Sequence, residues 1–321
     1  MTPVDLWRQI QRENFTKWGD LCAFLKLDPI QQEWIKKKSS FPLNLPRRLA
    51  EKIKKGTLED PIFKQFVPTI QEDEKKEGFS CNPVGDEEVQ RGKYLQKYEG
   101  RVLLLVTSGC AMHCRYCFRQ HFPYQTLSGF EEELGLIRED TSLKEVILSG
   151  GDPLSLRNEV LATLMRQIEE IPHIKRVRFH TRFPIGIPER IDEGFLAILA
   201  STSLQVWFVI HANLAQELDE EVLFSLKQVQ KLAIPVISHT VLLRGVNDSV
   251  SLLQELFEKM VDHGIQPYYL FQLDRVEGAA HFETSEEEGH LLMEALRKRL
   301  SGYAIPRYAK EVAGLPSKLI L

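Results

Sequence analysis

Residues 101–119 read RVLLLVTSGCAMHCRYCFR: an apolar run that stops at a glycine and opens into three closely spaced cysteines. The run is rich in Val and Leu and apolar at almost every position, as strands buried on both faces are. Five later segments share its character: KEVILSG (144–150), RVRFHTR (176–182), LQVWFVIHA (204–212), PVISHTVLLRG (235–245) and PYYLFQLD (267–274). Helical patterns lie between them at 157–171, 188–201, 215–232 and 250–263, and a further one follows at 285–300. Strands alternating with helices at this spacing predict βαβ units and a parallel sheet, hence an α/β fold. Six units are too few for a closed eight-stranded barrel, which leaves an open partial barrel or a doubly wound sheet.

Polar residues collect just past these strands. Cys110 follows the first, and Gly150, Gly151 and Asp152 follow the second. His180 and Arg182 end the third, His211 and Asn213 the fourth; Arg244, Asn247 and Asp248 follow the fifth, and Asp274 ends the sixth. Parallel α/β folds carry their chemistry at the carboxyl ends of the strands, so this rim is the candidate site.

Cys110, Cys114 and Cys117 have C-x3-C-x2-C spacing, while Cys22 and Cys81 stand apart. An odd number of cysteines in a large chain argues for a metal site rather than a disulfide framework. Soft thiolates select zinc or iron–sulfur clusters. Three of them can hold three irons of a 4Fe–4S cluster and leave the fourth iron open. A structural zinc, with His113, His121 or Cys81 as fourth ligand, is the alternative.

The rest of the chain narrows the class. It has 321 residues, 43% hydrophobic and 27% charged, with a formal net charge of −4. That is an ordinary globular balance, and it offers no electrostatic case for a nucleic-acid partner. No apolar run approaches the roughly 20 residues that span a bilayer. The opening MTPVDLWRQIQRENF lacks the apolar core and cleavage site of a leader, so the expected location is cytoplasmic. Residues 5–37 read as helices, 47–55 (RRLAEKIKK) as a solvated basic helix, and 72–90 as a polar loop. The expected organisation is an N-terminal helical region and loop over 1–90, the barrel over 91–284, and a C-terminal helix and tail over 285–321.

CAMHCRYC followed by Phe118-Arg119 resembles the signature of the radical S-adenosylmethionine (SAM) superfamily, whose partial (β/α)6 barrel suits six strands. From about residue 90 onward the chain resembles the lysine 2,3-aminomutase family, on KYEGRVLLLVTSGCAMHCRYCFRQHFPY, EVILSGGDPL, HTVLLRGVNDS, PYYLFQLDRVEGAAHFET and EVAGLPSKLIL. The resemblance implies a 4Fe–4S cluster on Cys110, Cys114 and Cys117, with SAM on its open iron, against Gly150, Gly151 and Asp152 and close to His211. It implies pyridoxal 5′-phosphate (PLP) on Lys318, with Arg101 and Lys97 near the phosphate. It also implies that Arg119 binds the substrate carboxylate and that Asp274 and Glu311 bind the distal amino group of lysine. Glu311 stands where the free-lysine enzymes carry an aspartate. Lys318, as an imine-forming amine, is expected to be shielded from water.

The implied reaction converts (S)-α-lysine to (R)-β-lysine through a SAM-derived radical and a PLP aldimine. The chain as given ends three residues after Lys318, without the cysteine-bearing zinc extension of the free-lysine enzymes. In this it resembles the short branch whose β-lysine is attached to elongation factor P by a lysyl-tRNA-synthetase-like ligase. A catabolic free-lysine enzyme, or an aminomutase for another amino acid such as arginine, is the alternative reading. A non-enzymatic iron–sulfur or zinc module is the remote one.

Overall fold

All six expected strands form in the computed structural model, which describes residues 6–124 and 129–321, and they lie side by side in sequence order. A hairpin of β1 (Gln90–Arg91) and β2 (Tyr94–Tyr98) leads antiparallel into β3 (Arg101–Thr107). Then β4 (Glu145–Gly150), β5 (Arg176–Thr181), β6 (Gln205–His211), β7 (Val236–Val241) and β8 (Gln266–Phe271) add in parallel. The tail contributes what the pattern did not reveal: β9 (Arg307–Lys310), parallel to β8, and β10 (Leu319–Ile320), folded back antiparallel on β9. The order runs linearly from β1 to β10, so this is an open, curved sheet rather than a closed or doubly wound one. The first five residues of the stretch inspected for a leader lie outside the described residues. No described helix is long and apolar enough to cross a membrane.

Helices cover the outside of the sheet. Several connecting helices start where a short polar side chain can accept from their first exposed N–H groups. Asp192 accepts from Phe195 N, Asp219 from Val222 N and Ser249 from Leu252 N. Ser285 and Glu288 form a reciprocal capping box ahead of Glu286–Arg297. Along β5 the two faces separate cleanly. Val177 and Phe179 are buried outward, Phe179 packing edge-on against Phe195 of the helix Glu193–Ser201. The alternate residues Arg178 and His180 point into the lumen, where the ring of His180 meets those of His211 and His239. A barrel interior packed for stability alone is filled by branched apolar side chains. This one is lined with imidazoles and charges, the lining of a cavity that holds something.

The first ninety residues are not a detached appendage. Their apolar side chains, Trp7, Leu25, Leu49 and Phe66 among them, belong to the same continuous core as the sheet. The segment expected as a solvated basic helix is Arg47–Lys52, and it is only half solvated. Leu49 and Ala50 are fully buried, and Arg48 and Lys52 both pair with Asp219 on the barrel, at 2.9 and 2.6 Å. The polar loop 72–90 crosses the barrel mouth. Ser80 bridges to the segment after β8, donating to Arg275 O and accepting from Glu277 N.

Candidate active site

The cysteine loop leaves the end of β3 and is held from both sides. On the sheet side, Gly151 N donates to Thr107 O (2.6 Å) and Asp152 N to Gly109 O (2.8 Å), so backbone touches backbone. A Cβ on Gly151 would sit 2.7 Å from the Ser108 carbonyl carbon, and one on Gly150, whose φ is +107°, 2.8 Å from Thr107 O. Only glycine fits these two places. On the outer side the N-terminal region grips the loop through Asn14 to Ala111 O (2.7 Å), and through Gln11 and Asn44 to Cys110 O. Arg115, between two of the cysteines, is fully buried and forms a two-pronged ion pair with Glu72 at 2.6 and 2.7 Å.

Burial raises the thiol of Cys110 strongly and that of Cys117 to about 11, with their sister thiols adding to both shifts. Thiolates here need a compensating positive group. Arg182 supplies part of it, its Nη1 lying 3.2 Å from Cys114 Sγ while Nη2 is held by Gln65 and Glu217. Tetrahedral zinc, with Zn–S near 2.3 Å, needs sulfurs roughly 3.8 Å apart. Among the described residues, the group whose ligand atoms all lie within 4.8 Å of one another is a histidine triad, not the three cysteines. The suggested fourth zinc ligands are also engaged elsewhere. His113 Nδ1 contacts Pro42 O at 2.7 Å and its ring stacks on Phe41; His121 Nε2 contacts Glu277 O; exposed Cys81 contacts Glu277.

The remaining expected site residues fall into two groups. Asp152 is buried and its carboxylate accepts from Leu154 N, Thr181 Oγ1 and Arg182 N. It therefore locks the third strand end beside the cysteine loop and positions Arg182. His211 lies in the lumen, stacked on His239; burial holds it neutral, pulling it down to about 3.

The second group meets where β2 faces the β9–β10 tail, the two ends of the sheet brought together by its curvature. Glu311 accepts from Tyr98 Oη, forms a very short ion pair with Lys318 Nζ, and lies 3.6 Å from Lys97 Nζ. Lys97 is further committed to Asp86 and to Val84 O, both at 2.6 Å, so its ammonium is spent within the chain. Asp86 also takes Arg119 Nε at 2.8 Å, leaving Arg119 Nη1 turned toward Ser149 at 3.5 Å. Lys318 sits above the rings of Tyr98 and Phe271, at 5.3 and 5.6 Å, and is shielded but not sealed, at 24% side-chain exposure. Arg101 also lies over the Tyr98 ring, at 4.5 Å. Asp274 has no ion-pair partner among the described residues; burial, with Glu311 beside it, raises its carboxyl to about 7 against the pull of Lys318 and Lys97.

Comparison with known proteins agrees with this architecture. The Radical SAM superfamily profile matches residues 104–257, the span from β3 to the helix before β8. The chain is 40% identical over 285 residues to the L-lysine 2,3-aminomutase of Escherichia coli (strain K12), covering 88% of this chain and 83% of that protein. It is 39% identical to the protein of that name from Haemophilus influenzae, over 87% and 84% of the two chains.

The chain belongs to the L-lysine 2,3-aminomutase family.

Among solved structures, a radical SAM methyltransferase from Sphaerobacter thermophilus shares the fold, with a TM-score of 0.50 and 20% identity over 67% of this chain and 68% of that one. Membership of the radical SAM superfamily implies a 4Fe–4S cluster and SAM, and three half-buried cysteines on one loop suit such a cluster. Several residues of this aminomutase-family site escape a reading by strand ends. Asp86 and Tyr98 come from the loop and hairpin before the first parallel strand, and no local pattern marks them. His239 sits in the buried strand PVISHTV, where no alternation marks it. Conversely, Asn247 at the rim is structural: it bonds Leu243 N, Asn213 O and Val241 O.

Proposed function

We propose that this protein is a lysine 2,3-aminomutase that makes (R)-β-lysine, using PLP on Lys318 together with SAM and the cluster on Cys110, Cys114 and Cys117. The observation that carries the reading is the placement of Arg119, Asp274, Glu311 and Lys318 around one end of the lumen. Together they offer a guanidinium for a carboxylate, two acids for a distal ammonium, and an amine between them. The migrating group must move from Cα to Cβ, and a Cβ–H is too weakly acidic for a general base. When bound, SAM on the reduced cluster supplies a hydrogen-abstracting carbon radical and PLP a π system that carries the nitrogen.

The chain's own groups do the rest. Glu311, in contact with Lys318 Nζ, is placed to hold the proton that the amine gives up on reacting. Arg119, turned by Asp86, presents its free edge to the substrate carboxylate. Asp274 gains its charge on meeting the ε-ammonium, so a cationic side chain is favoured over a neutral or acidic one. With both ends fixed, Cβ is held in one place. The loop 72–90 over the mouth excludes water.

The similarity to the short branch supports a role in supplying β-lysine for elongation factor P, through a separate lysyl-tRNA-synthetase-like ligase. The test is anaerobic turnover of lysine, arginine and glutamate by protein loaded with iron, sulfide, PLP, SAM and dithionite. β-Lysine from lysine alone, lost in Lys318→Ala, is the expected result. Preferred turnover of arginine would replace lysine as the substrate. Adding the ligase and elongation factor P should then give a mass increase on the factor; none would leave a catabolic role.

A further inference from the structure

Residues 1–70 carry 13 basic and 8 acidic side chains, a net charge of +5. The whole chain carries −4, so the other 251 residues carry −9. The basic excess gathers around the helix Trp18–Leu25, which itself holds one acid, Asp20. Lys37 Nζ lies 4.9 Å from the centre of the Trp18 ring, and Lys55 Nζ lies 3.4 Å from that of Phe24. Arg47 stands 5.8 Å from the same Phe24 ring. Lys26, at the end of the helix, is close enough to repel Lys55. Lys26, Lys37 and Lys55 are exposed, and none has an ion-pair partner among the described residues. Glu51, the acid that acts on Lys55, is 4.0 Å from Arg47. Like charges left together without counter-ions work against the fold and invite an opposite charge from outside. This face also lies just outside the cysteine loop. Asn14 donates to Ala111 O at 2.7 Å, and the ring of the next residue, Phe15, packs 4.9 Å from that of Phe24. Asn14, Phe15, Phe24 and Lys55 thus lead from the loop to the surface.

We propose that this basic face is the docking surface for an acidic electron-transfer protein. The inference rests on the reading above that Cys110, Cys114 and Cys117 hold a reducible iron–sulfur cluster. The donor loses one electron and the cluster gains it; no ordinary side chain supplies that electron, so the donor is a separate molecule. Patches of opposite charge steer such partners into place, at rates that fall with salt. Redox encounters bury little area, less than about 1,200 Å², which suits a face built on one short helix and its flanks. Free lysine is a cation, so the face does not gather substrate. Nor does it suit a nucleic acid. Trp18 and Phe24 already carry the chain's own ammoniums over their rings, which leaves a poor platform for stacked bases. The −9 on the rest of the chain repels a long run of phosphates.

The experiment uses the full chain loaded with iron and sulfide, and a reduced flavodoxin, a small acidic flavin protein, as the probe. No lysine is added, so the readouts do not depend on the substrate. Bleaching of the cluster's visible absorbance gives the rate of electron transfer, and calorimetry gives the affinity for oxidised flavodoxin. The variant combines Lys26→Glu, Lys37→Glu and Lys55→Glu. A control combines Lys227→Glu, Lys231→Glu and Lys298→Glu, which change the net charge equally on other exposed helix positions. The expected result is at least tenfold slower reduction and tenfold weaker binding in the variant, with the control near wild type. Dithionite should reduce all three proteins alike, which shows that fold and cluster are intact. The wild-type rate should also fall as salt rises from about 0.05 to 0.5 M. Flavodoxin that neither binds nor reduces the wild type, or equal losses in variant and control, overturns the proposal. So does a single-stranded oligonucleotide that binds this face more tightly than flavodoxin. A chain that takes up no iron fails earlier, at the cluster itself, and removes both readings. If the triple variant does not fold, Lys37→Glu and Lys55→Glu are measured singly, each expected to slow flavodoxin severalfold and dithionite not at all.

Discussion

The barrel rim has two edges of opposite build, one at the cysteine loop after β3 and one where β2 meets the β9–β10 tail. At the cysteine edge the chain binds itself with fixed hydrogen bonds: Gly151 to Thr107, Asn14 to Ala111, Asp152 to three donors, Arg115 to Glu72. At the lysine edge it binds itself through charges: Glu311 to Lys318 and Lys97, and Asp86 to Lys97 and Arg119, with Asp274 unpaired among the described residues. The first edge holds a bulky inorganic group in one place, so rigidity serves it. On the proposed function the second would exchange an internal lysine for a diffusing one, with its own carboxylates and ammonium standing in for the substrate's charges. Buried, fully satisfied bonds resist displacement, whereas the partly exposed Glu311–Lys318 pair exchanges at smaller cost.

Four experiments sharpen or break this contrast. The largest effect is expected from Cys114→Ala: iron and visible absorbance fall with β-lysine formation to background, while circular dichroism stays unchanged. Retained turnover would dissolve the assignment of that edge to the cluster. Next is Glu72→Gln, which leaves the Arg115 charge buried and unpaired and should cost about 3–5 kcal/mol in denaturant unfolding. A loss below 1 kcal/mol would mean the cysteine edge is no more rigid than the other.

Third is a pH effect at the lysine edge. The Asp274 carboxyl, raised to about 7, is protonated below that pH and must lose its proton before pairing with an ammonium. Lysine kcat/KM should therefore fall toward tenfold per unit as pH drops below about 7, and Asp274→Asn should flatten that limb. The smallest effect belongs to Glu311→Gln measured as stability. Its pair with Lys318 is partly solvated, so unfolding should change by about 1 kcal/mol or less, even as the KM for lysine rises. A cost as large as that of Glu72→Gln would show that both edges are locked.

The six central strands were legible because each is an apolar run long enough to be buried on both faces. β9, RYAK, was not, because two of its four residues are charged and it becomes a strand only by pairing with β8. That pairing carries Glu311 and Lys318 to the lumen, so the positions suggested for them by resemblance acquire a neighbourhood only in the fold. The loop 72–90 reads as polar and featureless for the same reason. Asp86 looks like any surface acid until the chain closes over it and joins it to Arg119 and Lys97.

By itself the sequence determined the alternation of strand and helix, the cysteine spacing and the glycines that follow β4. These are set by covalent distance and local backbone sterics, which act between residues near in the chain. The tertiary structure alone decided that Lys97 answers to Asp86 rather than standing free, and that Asp274 is held near neutrality. It alone decided that three histidines from separate strands converge. Charges and lone pairs act through space over a few ångströms, and which ones come that close depends on how the sheet curves, not on their order in the chain.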